Sequence, residues 1–151
     1  MILELEDAII QRLKSLGLTN VEGWSGKPED LFIKPKTYPA FRIVFENMKL
    51  QNSSSLVVYE ATIRFIVLVF FRSLRDKGQG AYGLIEQVLN ILSGYHVYGF
   101  TFEPLQVALL YHELGEFAYQ VSFEGSGRFV LDADYQNTLL EGNTIITPPS
   151  P

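Results

Sequence analysis

The chain contains no cysteine and only two histidines among its 151 residues. The first absence removes disulfides, thiolate metal sites and a cysteine nucleophile together. It does not fix a compartment, though nothing in the composition requires an oxidising one. Positive charge is also in short supply, with 12 Lys and Arg against 17 Asp and Glu, a net charge of -5 and a pI near 5.0. Proteins that grip phosphate backbones carry a basic excess or a basic stripe. Neither is present, so no sequence-specific nucleic-acid partner is expected. Long apolar runs are missing too: FIVLVFF (65–71) is the longest, far short of the roughly 20 residues that span a bilayer. The N-terminus MILELEDAIIQRLKSLG is acidic and amphipathic, without the basic start and apolar centre of a signal peptide. The expectation is a soluble, cytosol-compatible protein with no membrane partner.

What is present is enough apolar material for one core: 47% hydrophobic residues in a chain of single-domain length. Ile2, Leu5, Ile9, Leu13 and Leu16 recur at helical spacing, with acidic residues leading and Arg12 and Lys14 trailing, as the helix dipole favours. Gly17 suits the helix stop. Residues 18–39 carry Gly23, Gly26, Pro28, Pro35 and Pro39 and read as an irregular loop with room for a short strand at Val21–Trp24. Phe41, Ile43 and Phe45 then alternate with Arg42 and Glu46. After the turn QNSSS (51–55), Val57, Tyr59, Ala61, Ile63 and Phe65 show a second alternation, which predicts an antiparallel hairpin. At 66–71 the alternation fails, because Ile66, Leu68 and Phe70 make the second face apolar as well. That end of the strand calls for a cover: a helix, a loop or another subunit.

A helix over 80–93 would bury Ala81, Leu84, Ile85, Val88 and Leu92, with Gly94 ending it. A second hairpin follows, from Leu105, Val107, Leu109 and Tyr111 to Phe117, Tyr119, Val121 and Phe123, joined near Gly115. From Gly125 the periodicity fades, and TPPSP (147–151) ends the chain. The pattern predicts an α+β domain over 1–125 with an extension over 126–151. Its architecture is a largely antiparallel sheet of four to five strands with two helices on one face, in the order α-(β)-β-β-α-β-β.

Four patterns invite a chemical reading. GQGAYG (78–83) matches the dinucleotide fingerprint GxGxxG. In that site the first glycine follows its strand almost directly within a parallel βαβ unit. Here RSLRDK (72–77) intervenes, the preceding strand belongs to an antiparallel hairpin, and the acidic residue nearest the required offset, Glu103, falls in an apparent FEP turn. The glycines read as a loop opening a helix. His112 and Glu116 have metal-ligand spacing, but Gly115 places them in a hairpin turn with no third ligand. His96, between Tyr95 and Val97, reads as a packing residue. DADYQN (132–137) begins like a calcium loop with Asp132 and Asp134, yet Gln136, Asn137 and Asn143 occupy the positions that need an oxygen ligand, a glycine and a bidentate glutamate. No cofactor and no catalytic residue is expected.

The stretches MILELEDAIIQRLKSLGL (1–18) and VLVFFRSLRDKGQGAYGLIEQVLNILSGY (67–95) resemble the Mu-like prophage tail proteins. Members open with I-x-E-x-E-D-A-I-x-x-R-L, here Ile2 to Leu13. They carry G-A-Y-x-L-[IL]-E at the start of a helix, here Gly80 to Glu86, and an F-A-x-Y strand, here within Glu116–Val121. The resemblance implies a structural protein rather than an enzyme. It points to a tail terminator or completion subunit that forms a ring, typically a hexamer, at the end of the tail tube and fixes tube length or joins it to the head. It also implies contacts with tube, sheath or head–tail connector proteins, residence in the virion tail, and assembly in the host cytoplasm. A minor tail or baseplate-assembly protein is the alternative, and a small nucleotide-binding enzyme using 72–83 is a more remote one. An acidic ring around a DNA conduit would repel the phosphate backbone and let it slide. The segment expected at a subunit contact is Phe70, Phe71, Arg72, Arg75, Asp76 and Lys77, an apolar strand end followed by mixed charge.

Overall fold

The computed structural model describes residues 1–24, 37–53, 56–76, 80–113 and 115–131. Among these residues two helices pack on one face of a six-stranded sheet. The elements run α1 (Ile2–Ser15), β1 (Val21–Gly23), β2 (Ala40–Asn52), β3 (Val58–Phe71), α2 (Ala81–Leu92), β4 (His96–Val97), β5 (Phe100–Glu113) and β6 (Glu116–Val130). Spatial order across the sheet is β1-β2-β3-β6-β5-β4. Only the β1–β2 pair is parallel; the others are antiparallel. The short strand allowed at Val21–Trp24 is β1, and the expected four to five strands become six because β4 is only two residues long, too short to show a period.

β3 and β6 form the centre of the sheet. Ala61, Ile63, Phe65, Val67, Val69 and Phe71 face the helices and are buried. They meet Leu5, Ile9 and Leu13 of α1 and Leu84, Val88 and Leu92 of α2 in one core. Arg12 ties the helices together, donating from Nε to the Ile91 carbonyl at 3.3 Å while its guanidinium lies 4.8 Å from the centre of the Tyr95 ring. Gly94, with φ of 76°, turns the chain out of α2 in the left-handed conformation that suits glycine.

Two sequence expectations fail in the second hairpin. Glu103 does not lie in a turn: it sits within β5 opposite Glu124, and Pro104 follows it in the same strand. Pro104 is tolerated because β5 is an edge strand beyond its first residues. Nor does the strand end where the periodicity fades, since β6 continues through Gly125 and Gly127 to Val130. A Cβ at Gly125 would lie 2.6 Å from the Phe102 ring, and one at Gly127 would lie 2.8 Å from the Phe100 ring. The two glycines are gaps in β6 that two aromatic rings of β5 fill across the ladder. Alternation disappears from the sequence there because the apolar mass comes from the neighbouring strand.

Candidate functional site

The segment expected at a contact begins where β3 leaves the core. Phe70 and Phe71 point to opposite faces, as strand alternation requires. Phe71 is fully enclosed with the helices and lies edge-on to Tyr119 at 6.4 Å. Phe70 is half-buried on the other face, between Ala40 and Ala118 in the ladder. Ile66 and Leu68 share that face and are likewise half-buried. Among the described residues no helix lies over them, so the cover that 66–71 calls for does not come from the helices.

The chain then turns back on itself. Asp76 N–H donates to Ser73 Oγ at 3.3 Å, and Gly80 N–H donates to the Asp76 carbonyl at 2.9 Å. Ala81 N–H donates to the Ser73 carbonyl at 2.9 Å and Tyr82 N–H to the Leu74 carbonyl at 3.1 Å. Two amides at the start of α2, the groups that would cradle a pyrophosphate, are thus already bound by the loop. Gly80 is required for close approach: a Cβ there would stand 2.5 Å from the Asp76 carbonyl oxygen. A Cβ at Gly83 would meet nothing within 4 Å, so that glycine of the GxGxxG pattern has no packing role. Gly78 lies outside the described residues.

Arg72, Arg75 and Asp76 are exposed, and Lys77 lies outside the described residues. Of the three described, only Arg72 is drawn into a side-chain constellation. Its guanidinium stacks 4.5 Å from the centre of the Tyr38 ring, and Tyr38 Oη donates to Glu116 Oε1 at 3.1 Å. Burial, and after it the Glu116 carboxylate, pushes the Tyr38 hydroxyl above its ordinary pKa, so it is a neutral donor at physiological pH. This chain joins the entry of β2, the exit of β3 and the start of β6 at one end of the sheet. Tyr38 and Glu116 are 78 positions apart, and no local pattern in the sequence marks them as partners.

The remaining residues singled out from the sequence are separate from this end or serve other contacts. His112 closes β5 and stacks on Phe117 at 6.3 Å. His96 is exposed rather than packed, with Nδ1 2.7 Å from Thr101 Oγ1. Residues 132–137 lie outside the described ones. Among the described residues, no group of three or more His, Cys, Asp or Glu is placed to hold a metal ion, and no helix is long and apolar enough to cross a membrane.

Residues 1–114 match the family "Bacteriophage Mu, Gp37". The chain belongs to that family. The resemblance to Mu-like prophage tail proteins therefore holds, over all of α1, β1 to β4 and β5. No curated protein matches the chain. Among solved structures, this Gp37-family chain shares its fold with a chain of the "virion of native gene transfer agent (GTA) particle". The TM-score is 0.56 at 14% identity, covering 82% of this chain and 94% of that one.

Proposed function

We propose that this chain is a structural subunit of a phage tail, a terminator or completion protein that forms a ring at the end of the tail tube and fixes its length or joins it to the head. The observation that carries this reading is the fold shared with almost the whole of a chain built into a virion particle. It is supported by a loop that spends its helix-opening amides on its own carbonyls, which leaves a nucleotide phosphate no donors at two of the positions it would use. The protein then acts by contact alone, with itself and with the tube, sheath or connector proteins beside it. The ring is taken to be a hexamer, and its place is the virion tail. Phe70, Arg72, Arg75 and Asp76 are the exposed or half-exposed members of the contact segment, with Phe71 supporting them from the core side and Lys77 continuing the charged loop.

Three experiments test this. Native mass spectrometry of the purified protein is expected to give a closed oligomer of one stoichiometry, and a strictly monomeric protein at high concentration would count against the ring. In a phage carrying the gene, its deletion is expected to give tails of irregular length without heads. Tails of normal length lacking a baseplate would instead favour the baseplate-assembly reading. Reversing Arg72 and Arg75 together to Glu is expected to leave the circular dichroism spectrum intact and weaken assembly. A double variant that folds and assembles normally removes the loop from the contact.

A further inference from the structure

We infer that the ring closes by strand addition, with the outer edge of β5 in one copy pairing with the outer edge of β2 in the next. This rests on the ring reading above and names the surfaces it would use. Among the described residues, β4 and its approach cover β5 only as far as Phe102, whose N–H and carbonyl bond to Tyr95 and Gly94. β1 covers β2 only as far as Ile43, whose carbonyl accepts from Trp24. Among the described residues no further strand pairs with this edge of β5 from Glu103 to Leu110 or with this edge of β2 from Val44 to Asn52, and an open strand edge is the usual template for joining another chain. The β5 edge is apolar as well as open: Val107 is 41% exposed, Leu109 48% and Leu110 49%. No charged residue occurs from Leu105 to Tyr111.

The occupant follows from direction, face and charge. β5 runs antiparallel to β2 within the sheet, so a neighbour rotated about an axis along the strands brings its β2 up antiparallel to β5. Within 103–108 of β5 and 44–49 of β2 each strand carries one bulge, at Leu105 and at Glu46, and a second bulge of β5 lies beyond, at Leu110. With Leu105 and Glu46 left out of the pairing, Glu103 stands opposite Lys49, Val107 opposite Phe45 and Ala108 opposite Val44. Every one of these pairs lies on a common face. Val107 and Phe45 are in register with the helix-side residues Val67 and Phe65. Ala108 and Val44 are in register with Leu68 and Ile66 of the other face. A one-residue slip would set apolar side chains against the wrong face. Glu103 and Lys49 are both exposed and of opposite charge, which favours them as cross-strand neighbours. Self-pairing of two β5 edges centred on Ala108 would instead oppose Glu103 to Glu113. Because the two edges differ, the contact is heterologous and propagates around a ring.

The absence of cysteine makes the test clean. Within one copy β2 and β5 are separated by β3 and β6, about 14 Å at the usual strand spacing and too far for a disulfide. The full-length chain carrying Val107→Cys and Phe45→Cys, mildly oxidised, is expected to give a ladder of linked oligomers on non-reducing gels. Each single variant should remain unlinked, and a mixture of the two singles should give a dimer only. Glu103→Cys with Lys49→Cys, both at exposed positions, repeats the test if replacing Phe45 impairs folding. A ring of defined stoichiometry by native mass spectrometry with no ladder from either pair overturns the edge contact and leaves the ring reading standing. Monomer by mass spectrometry with no ladder overturns both. Linked dimer from Val107→Cys alone overturns this register in favour of β5 self-pairing.

Discussion

β3 and β5 are strands of equal length, 14 residues each, and both are rich in large apolar side chains. In β3 every second residue from Ala61 to Phe71 is buried, and the residues between are half-buried. In β5 only Phe100 and Phe102 are buried, and from Glu103 onward the strand is largely exposed. The difference lies in neighbours rather than composition. β3 has a long partner on each side, whereas β5, among the described residues, has β6 on one side and, on the other, β4 against only two residues. Hydrophobicity shows that a strand has something to bury; its place in the sheet decides whether the burial happens within one copy. An apolar edge that no other described strand covers is the kind of surface that fits an intermolecular role.

The sharpest way to break the comparison is to truncate the same kind of contact in each strand. Phe65 is 1% exposed and sits edge-on between Phe45 at 5.8 Å and Phe102 at 6.1 Å. Phe65→Ala is expected to cost about 3–5 kcal/mol in chemical denaturation. A loss under about 1 kcal/mol would mean that β3 is not the centre of the core. Between the two strands, Gly125→Ala drives a methyl into the Phe102 ring and is expected to cost about 1–3 kcal/mol. Adding Phe102→Leu should recover part of that cost, a non-additivity that independent sites would not show. At the edge, Val107→Ala is expected to change monomer stability by about 0.5 kcal/mol or less, while lowering the oligomeric fraction on sizing with light scattering. A large stability loss without any change in association would return β5 to the role of an ordinary core strand.

The smallest effect is expected at the opposite edge. The Glu6 carboxylate occupies the space that a side chain on Gly23 of β1 would need. Burial, and after it the charge of Asp7, raises its pKa above the ordinary 4.5. An acid with a raised folded-state pKa contributes stability that is full below the ordinary value and is lost as the pH climbs through the folded one. Glu6→Gln should therefore melt slightly above the parent at pH 7, with the gap closing as the pH falls toward 4.5. A gap that does not vary with pH would place the effect in packing rather than in charge.

Much of this molecule is written in local periodicity. The helix stripe of Leu5, Ile9 and Leu13 is legible because one face at 3.6-residue spacing must be buried. The two-residue alternation of β2 and β3 is legible for the same reason at its own period. The character of GQGAYG as a helix start can also be read locally, and the loop carbonyls bound to Ala81 and Tyr82 show its physical basis. The single-face helical layer and the antiparallel hairpins follow from those patterns. The short strand β4 does not, because two residues carry no period.

Other features exist only once distant segments meet. Arg72, Tyr38 and Glu116 come together through sheet pairing, and each looks like an ordinary surface residue in its own stretch of sequence. The end of β6 is hidden because Gly125 and Gly127 borrow their apolar mass from Phe102 and Phe100 across the ladder. By itself the sequence determined the elements, their buried faces and the family, since each depends on residues close together in the chain. Only the tertiary structure decided which strand lies at the centre and which at an edge. That order is set by long-range hydrogen-bond pairing, and with it comes the location of the exposed apolar edge on β5.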